Sequence, residues 1–343
     1  LQYEGDYHLK LTVKTSISSY EVIIEQGIRN KITELIDVNR KIMIISDDGV
    51  PSFYVNELTS LLPNSFTFIF KQGEESKSLN TYQKIIYELI KHDFDRHDLI
   101  IAIGGGVVGD ISLFAGSTYK RGIDVVLIPT TVLAMCDSSI GGKCGIDFNY
   151  VKNAIGTFYQ PSLVLIDTDY LKTLSYRHLI NGLVEALKMG MIYNETLFNY
   201  FINNDYLNHL EDIIYLSILG KKSFVETDEK EHSIRKALNF GHTIGHAIES
   251  FYHYDKYLHG EAVGYGMLKM VRNKEVKSKL NIALNNLGLI YDEKIEIEKL
   301  LHYIYNDKKI KGEKIDIVNV NKIGSYELNS IKLEDILKML KEE

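Results

Sequence analysis

From Tyr20 to about Asp167 the chain alternates short, nearly continuous apolar runs with stretches whose apolar residues recur at helical spacing. The runs are YEVIIEQ (20–26), KIMIISD (41–47), SFTFIFKQ (65–72), DLIIAIGGG (98–106), IDVVLIPTT (123–131) and SLVLIDT (162–168). Runs of this length, rich in Val, Ile and Phe, fit parallel strands covered on both faces, where polar side chains need not alternate. Between them SLNTYQKIIYELIKHDF, from Ser78 to Phe94, opens on a capping Ser and then places its apolar residues on one helical face. The alternation predicts an α/β fold built on an open, doubly wound, Rossmann-like sheet. After about Leu179 long helical patterns take over, with one weak strand near IDIVNV (315–320). The expected organisation is an α/β domain over residues 1–178 and a mainly α-helical domain over 179–343.

Composition narrows the functional classes. A chain of 343 residues with 45% hydrophobic and 25% charged residues buries a large core and has length for two domains. A formal net charge of −7 argues against a nucleic-acid-binding surface, so any cationic site must be local. Two cysteines, Cys136 and Cys144, cannot build a disulfide framework and read as free thiols in a reducing compartment. No apolar run approaches the ~18 residues that span a membrane. The first residues, LQYEGDYHLKLT, lack the regions of a signal peptide, and a cytoplasmic location is expected.

The densest chemistry lies in RKALNFGHTIGH, from Arg235 to His246, followed by His259 in LHGEAVGYGM. His242 and His246 stand at i and i+4 and share a helix face. Imidazole suits zinc and similar divalent ions, and an open coordination position would admit substrate. Glu185 is available as a further ligand. A His pair at this spacing is often only a surface pair, and spacing does not say which of the three His bind an ion. In the first half, the strand DLIIAI runs into GGGVVGD, from Gly104 to Asp110, a Gly-x-Gly-x-x-Gly loop placed to receive a pyrophosphate on backbone N–H groups. The bland alternative is a tightly packed helix start. Asp47, the acidic residue at a strand end, precedes this loop instead of following it as in the common dinucleotide pattern. The segment from Cys136 to Pro161 carries small residues with interspersed lysines and reads as a long, phosphate-binding loop, against the plainer alternative of solvated lysines.

Together with GEESKS (73–78), YKRG (119–122), PTTVLAMCDSSIGGK (129–143), KNAIGTFYQP (152–161), NGLVEALK (181–188), DEKEHSIRKALNFGHTIGHAIE (228–249), LHGEAV (258–263) and NDKK (306–309), these segments resemble the 3-dehydroquinate synthase family of sugar phosphate cyclases. The match covers most of the chain, and the order and spacing of its segments are specific. The resemblance implies a homodimeric enzyme with NAD in the N-terminal domain and one divalent metal per subunit, zinc or cobalt. By position it implies Glu185, His242 and His259 as metal ligands, leaving His246 for substrate. Asp47, Glu74, Lys77, Gly105, Gly106, Val107, Asp110, Thr130, Thr131, Lys143, Lys152 and Thr173 match the nucleotide site. Asp137, Lys143, Lys152, Asn153, Lys188, Lys221, Arg235, Asn239 and His246 match substrate contacts, with Lys143, Lys188, Asn239 and His246 the catalytic group. One of Lys308 and Lys309, preferably Lys309, joins them, as does Arg121 reaching from the partner subunit.

The implied reaction converts 3-deoxy-D-arabino-heptulosonate 7-phosphate to 3-dehydroquinate and phosphate in the shikimate route. It proceeds through transient oxidation at C5, β-elimination of phosphate, re-reduction, ring opening and intramolecular aldol closure. Cations at Lys143, Lys152 and Arg121 suit the phosphate, while Lys221 and Arg235 suit the carboxylate. The chain departs from the family at Cys144, where Thr or Val is common, at Asp147, where Asn is common, and in VEALKMG. Alternatives are a cyclase acting on a neutral sugar phosphate, such as a 2-deoxy-scyllo-inosose or valiolone synthase, a metal-dependent alcohol dehydrogenase, and a non-catalytic scaffold. The carboxylate-directed residues, the phosphate-directed lysines and the intact ligand set argue against these in turn.

Overall fold

The computed structural model describes residues 9–149, 151–253, 255–291, 297–305, 310–311 and 314–332, with 334 and 336. The chain divides into two compact units, Leu1–Leu179 and Ile180–Glu343.

The first unit is built on a seven-stranded sheet. Its strands are β1 (Leu9–Lys14), β2 (Ser19–Ile24), β3 (Ile42–Asp47), β4 (Ser65–Phe70), β5 (Leu99–Gly104), β6 (Asp124–Pro129) and β9 (Leu163–Ile166), while β7 (Lys143–Phe148) and β8 (Val151–Phe158) form a separate antiparallel hairpin. Strand order is β1-β2-β9-β6-β5-β3-β4, parallel throughout except for β1 against β2. Each apolar run of the sequence becomes one strand. β5 and β9 are buried along their whole length, which is why they carry no polar alternation. The helices α1 (Ile32–Leu35), α2 (Ser52–Leu61), α3 (Leu79–Lys91) and α4 (Gly106–Thr118) connect them. Helix α3 begins where the Ser78 hydroxyl accepts from Thr81 N–H, the cap visible in the sequence.

Two features differ from expectation. The segment after Cys136 is no open loop: Ala134–Ser138 is a short π-helical turn, and Lys143 to Phe158 folds back as β7 and β8 with Lys143 paired to Phe158. Almost every β8 side chain is exposed, and only β7, through Cys144 and Ile146, contributes buried side chains, so no hydrophobic pattern announces β8. The edge strand β1 also escapes the apolar pattern, because half of its residues are exposed.

Helix α5 (Tyr176–Ile192) leads into the second unit, which continues with α6 (Glu195–Ile202), α7 (Leu210–Thr227), α8 (His242–Phe251), α9 (His259–Met270), α10 (Lys274–Asn286) and α11 (Ile297–Tyr305). Its core comes from helical faces: Leu183, Val184 and Leu187 on α5, Ile213, Ile214 and Ile218 on α7, Ile244 and Ile248 on α8, and Val263 and Met267 on α9 are all buried. Fully burying each such side chain contributes roughly 1.5–3 kcal/mol. The weak strand near IDIVNV is β11 (Lys314–Asn319), and it belongs to a three-stranded antiparallel sheet with β10 (Ile310–Lys311) and β12 (Glu327–Lys332). Among the described residues no helix is long and apolar enough to cross a membrane.

Candidate active site

In the second unit three helices bring Glu185, His242 and His259 together. Glu185 projects from the buried face of α5, and the two histidines begin α8 and α9. Glycines permit the approach. A Cβ on Gly260 would stand 2.0 Å from the Asn181 carbonyl oxygen on α5, and one on Gly266 would stand 2.1 Å from the Gly241 carbonyl beside α8. The α9 start is also held by Gly260 N–H donating to Asn181 Oδ1 at 2.6 Å.

Each member of the trio has one atom engaged and one directed at the others. Lys188 Nζ donates to Glu185 Oε2, His242 Nδ1 lies 3.1 Å from the Phe240 carbonyl, and His259 Nδ1 lies 3.3 Å from Glu249 Oε2. The remaining atoms converge: Glu185 Oε1 is 3.6 Å from His242 Nε2 and 3.5 Å from His259 Nε2. These separations are long for hydrogen bonds, and Glu185 Oε1 is buried without a hydrogen-bond partner. Ligands held at ~2.0–2.1 Å by a tetrahedral ion stand about 3.3 Å apart, so the spacing fits a divalent cation between them. One carboxylate and two imidazoles also match the donor set of zinc with an open position. Burial works to raise the Glu185 carboxyl, but the Lys188 ammonium and the His259 imidazole outweigh it and hold it well below the usual carboxylate range. His246, the i+4 partner of His242, is exposed, with its ring centroid 5.2 Å from His242 and 5.8 Å from His259.

The residues expected at the substrate carboxylate lie on neighbouring elements of the same unit. Lys221 is buried on α7. Arg235 and Asn239 stand on the 3₁₀ turn Ile234–Asn239 that runs into Gly241 and α8. Arg235 is buried, donating from Nη1 to the Glu229 carbonyl, and Asn239 Nδ2 donates to Glu231 Oε1 at 2.6 Å. The loop before the turn is organised by Asp228, which accepts from the N–H groups of His232, Ser233 and Arg235. Lys308 and Lys309 lie outside the described residues.

In the first unit, Asp47 ends β3 and Gly104 ends β5, adjacent parallel strands. From β3 the chain pairs to one side with β4 and to the other with β5, so this is a topological switch point, where ligands of open α/β sheets bind. The inverted order of Asp47 and the Gly loop in sequence therefore costs nothing in space. A Cβ on Gly104 would meet Val108 Cγ2 at 2.5 Å, so packing alone requires this glycine. At Gly105 the nearest atom, Thr131 Cγ2, is 3.4 Å away, an ordinary contact that leaves the α4 N-terminus approachable. Gly106 and Val107 open that helix. Thr130 N–H donates to the Gly104 carbonyl at 2.9 Å, and the Thr131 hydroxyl accepts from Ala134 N–H at 3.2 Å. The Asp47 carboxylate accepts from Gly49 and Val50 N–H, and burial raises its pKa.

Beside the Gly loop, Lys77 Nζ donates to Asp110 Oδ2 and to Asn153 Oδ1, and Lys152 Nζ is 3.7 Å from Glu74. Asn153, expected at the substrate, is thus engaged with Lys77, and Asp147 Oδ1 accepts its N–H at 2.7 Å. Lys143 is exposed at the start of β7, and Asp137 lies in the π-helical turn. The Thr173 hydroxyl bonds to the Tyr170 carbonyl and to Tyr54. Arg121 ends a run of left-handed backbone, with φ of 46° at Lys120 and 69° at Arg121. Both cysteines are buried and in no disulfide, and burial pushes the Cys144 thiol up to about 12, against the thiolate form. Glu249, Asn181, Asp228 and Glu231 were not singled out by sequence reasoning; Glu249, two helical turns after His242 on the same face, is the one whose spacing offered a signal.

Residues 67–181 match the sequence profile of the 3-dehydroquinate synthase N-terminal region and residues 182–310 that of its C-terminal region. The chain is 39% identical over 345 residues to a 3-dehydroquinate synthase of Clostridium botulinum, covering 95% of this chain and 99% of that protein. It is 39% identical over 353 residues to the enzyme of Streptococcus mutans, covering 97% and 99%. Among solved structures, a 2-epi-5-epi-valiolone synthase from Streptomyces hygroscopicus with NAD+ and Zn2+ bound aligns with a TM-score of 0.83 at 24% identity, covering 96% of this chain and 98% of that one. A 2-deoxy-scyllo-inosose synthase complexed with carbaglucose-6-phosphate, NAD+ and Co2+ aligns with a TM-score of 0.84 at 23% identity, covering 96% and 98%. An iron-containing alcohol dehydrogenase from Thermotoga maritima aligns less well, at 0.65 and 16%. These structural likenesses establish the fold, while the near-full-length sequence relatives narrow it further. With both halves of the profile matched in order and identity close to 40% along almost the whole chain, it belongs to the 3-dehydroquinate synthase family.

Proposed function

We propose that this chain carries out its family's reaction with its own residues in defined roles. It is a 3-dehydroquinate synthase, a carbon–oxygen lyase that converts 3-deoxy-D-arabino-heptulosonate 7-phosphate to 3-dehydroquinate and phosphate. The observation that carries the assignment of the chemistry is the convergence of Glu185 Oε1 with the two Nε2 atoms of His242 and His259. When bound, NAD would accept a hydride from C5 and return it, and the divalent ion would acidify the hydroxyls at the reacting carbons.

The residues divide this work. Glu185, His242 and His259 hold the metal, with zinc or cobalt suited to the donors. Asp47, Glu74, Lys77, Gly105, Gly106, Val107, Asp110, Thr130, Thr131 and Thr173 hold NAD, the pyrophosphate facing the N-terminus of α4. Lys143 and Lys152 serve both nucleotide and substrate phosphate, and Asp137 and Asn153 complete the substrate contacts. The Lys188 ammonium donates to Glu185 Oε2 and keeps that ligand ionised. His246 Nε2 or Nδ1 exchanges a proton with a substrate hydroxyl, and the departing phosphate takes the C6 proton in the elimination. Arg235 and Lys221 bind the carboxylate and Asn239 orients the ring; Lys309 is retained as a substrate contact on resemblance alone. The working form is a homodimer in the cytoplasm, each substrate phosphate meeting the partner subunit's Arg121. Two consecutive left-handed residues, Lys120 and Arg121, are the backbone feature that supports a functional role there.

The test is phosphate release from the heptulosonate 7-phosphate, measured beside a sugar phosphate lacking the carboxylate. Turnover of the first and little of the second supports the reading. Equal turnover of both would assign the chain to the neutral-sugar cyclases.

A further inference from the structure

We propose that Glu249 is a positioning residue for the metal centre, orienting His259 through Nδ1 so that its Nε2 lone pair meets the ion. The inference rests on the metal reading of Glu185, His242 and His259 and deepens it. Glu249 is 5% exposed, on α8 two helical turns after His242, and so on the same helix face. Its Oε2 accepts from His259 Nδ1 at 3.3 Å in hydrogen-bonding geometry, which fixes the His259 tautomer with Nε2 free to face Glu185.

The two imidazoles therefore have unlike backing. His242 Nδ1 faces the neutral Phe240 carbonyl, two residues away in its own chain segment. His259 Nδ1 faces a carboxylate from another helix, and an anionic acceptor makes the opposite ring nitrogen a stronger donor to a metal. His259 also needs this support more, because its side chain is 28% exposed against 12% for His242. The Glu249 to His259 bond thus ties α8 to α9 at the metal.

A competing role for Glu249 is direct ligation, because His246, Glu249 and His259 also lie within reach of one another. Two observations favour the outer role. The Glu249 contact with His259 meets hydrogen-bond geometry, whereas those of Glu185 Oε1 with His242 and His259 do not, and among the described residues Glu185 Oε1 is the buried carboxylate oxygen without a hydrogen bond.

The test is zinc affinity, by competition with a chromophoric chelator, for the parent, Glu249→Gln and Glu249→Ala, with the visible absorption of the Co2+-loaded proteins and the thermal unfolding of the metal-free ones recorded alongside. The dissociation constant should rise about 10–100-fold in Glu249→Ala, with one metal still bound per chain, and less in Glu249→Gln, which keeps an acceptor but loses the charge. The Co2+ band should move in Glu249→Ala and return towards the parent in Glu249→Gln, a signature that loss of packing alone does not give. Unchanged affinity and spectrum in folded Glu249→Ala would overturn the proposal. So would loss of stoichiometric metal as complete as in His259→Ala, which would make Glu249 a ligand. If Glu249→Ala does not fold, Glu249→Gln decides: parental affinity and spectrum overturn the proposal, and intermediate ones uphold it. A parent that binds no zinc or cobalt would instead sink the metal reading, and this inference with it.

Discussion

In the proposed reading, Arg235 is the single side chain that ties fold to specificity. In the proposed site the buried Arg235 guanidinium would meet the substrate carboxylate in a bidentate, charge-assisted pair. Arg235→Leu should therefore lower kcat/KM for the heptulosonate phosphate by ~1.5–3 kcal/mol, roughly ten- to more than hundredfold. It should change little for any residual turnover of an analogue without the carboxylate. Steady-state kinetics on the two compounds check this, and equal losses would show that Arg235 holds structure instead. At this scale the sequence revealed residue types and spacing but not partners. The His242 and His246 pair was visible as a helical face, whereas Glu185 stood only as an available ligand until the resemblance assigned it, since nothing local marks a glutamate on an apolar helix as a ligand. The second carboxylate, Glu249, is separated from His259 in sequence and meets it only because α8 and α9 pack closely. Asn153 reads as a substrate contact by position, and in the fold its side chain is engaged by Lys77.

Elements decide whether those residues arrive in register. Asp228 gathers three N–H groups ahead of the turn bearing Arg235 and Asn239, and although burial works to raise its carboxyl, these donors hold it below the ordinary value. A carboxyl depressed by folding adds stability that is fully present above its unfolded pKa, about 4, and is lost as pH falls through the folded value. Asp228→Asn should thus cost about 1–3 kcal/mol at pH 7, because an amide leaves donors facing donors. The gap from the parent should stay constant down to about pH 5 and narrow below about pH 4. Urea midpoints of both proteins across this range test it; a gap independent of pH would remove the carboxylate from the explanation. Legibility differs between elements for a physical reason. The parallel strands announce themselves because burial on both faces demands unbroken apolar runs. The hairpin β7 and β8 does not, because the side chains of β8 face outward and only the short middle of β7, with Cys144 and Ile146, is buried. Likewise β12 is nearly all exposed, which hid most of the three-stranded sheet.

At the scale of the whole molecule, the proposal of a shared site in a homodimer makes a prediction that no single chain satisfies. If each site draws Lys143 from one subunit and Arg121 from the other, a hybrid of Arg121→Ala with Lys143→Ala carries both lesions in one site and none in the other. Random assortment of two chains makes about half of the dimers hybrids, each with one working site. Co-refolded variants should recover phosphate release that neither has alone. Hybrid dimers present without recovery would place Arg121 within its own chain. The central claim is that the chain borrows a hydride rather than consuming one, and the most direct measurement follows phosphate and NADH together in the zinc-loaded protein given heptulosonate 7-phosphate and far less NAD than substrate. Many phosphates released per NAD, with no NADH accumulating, is the predicted result; NADH rising in step with phosphate, or no phosphate at all, would contradict it.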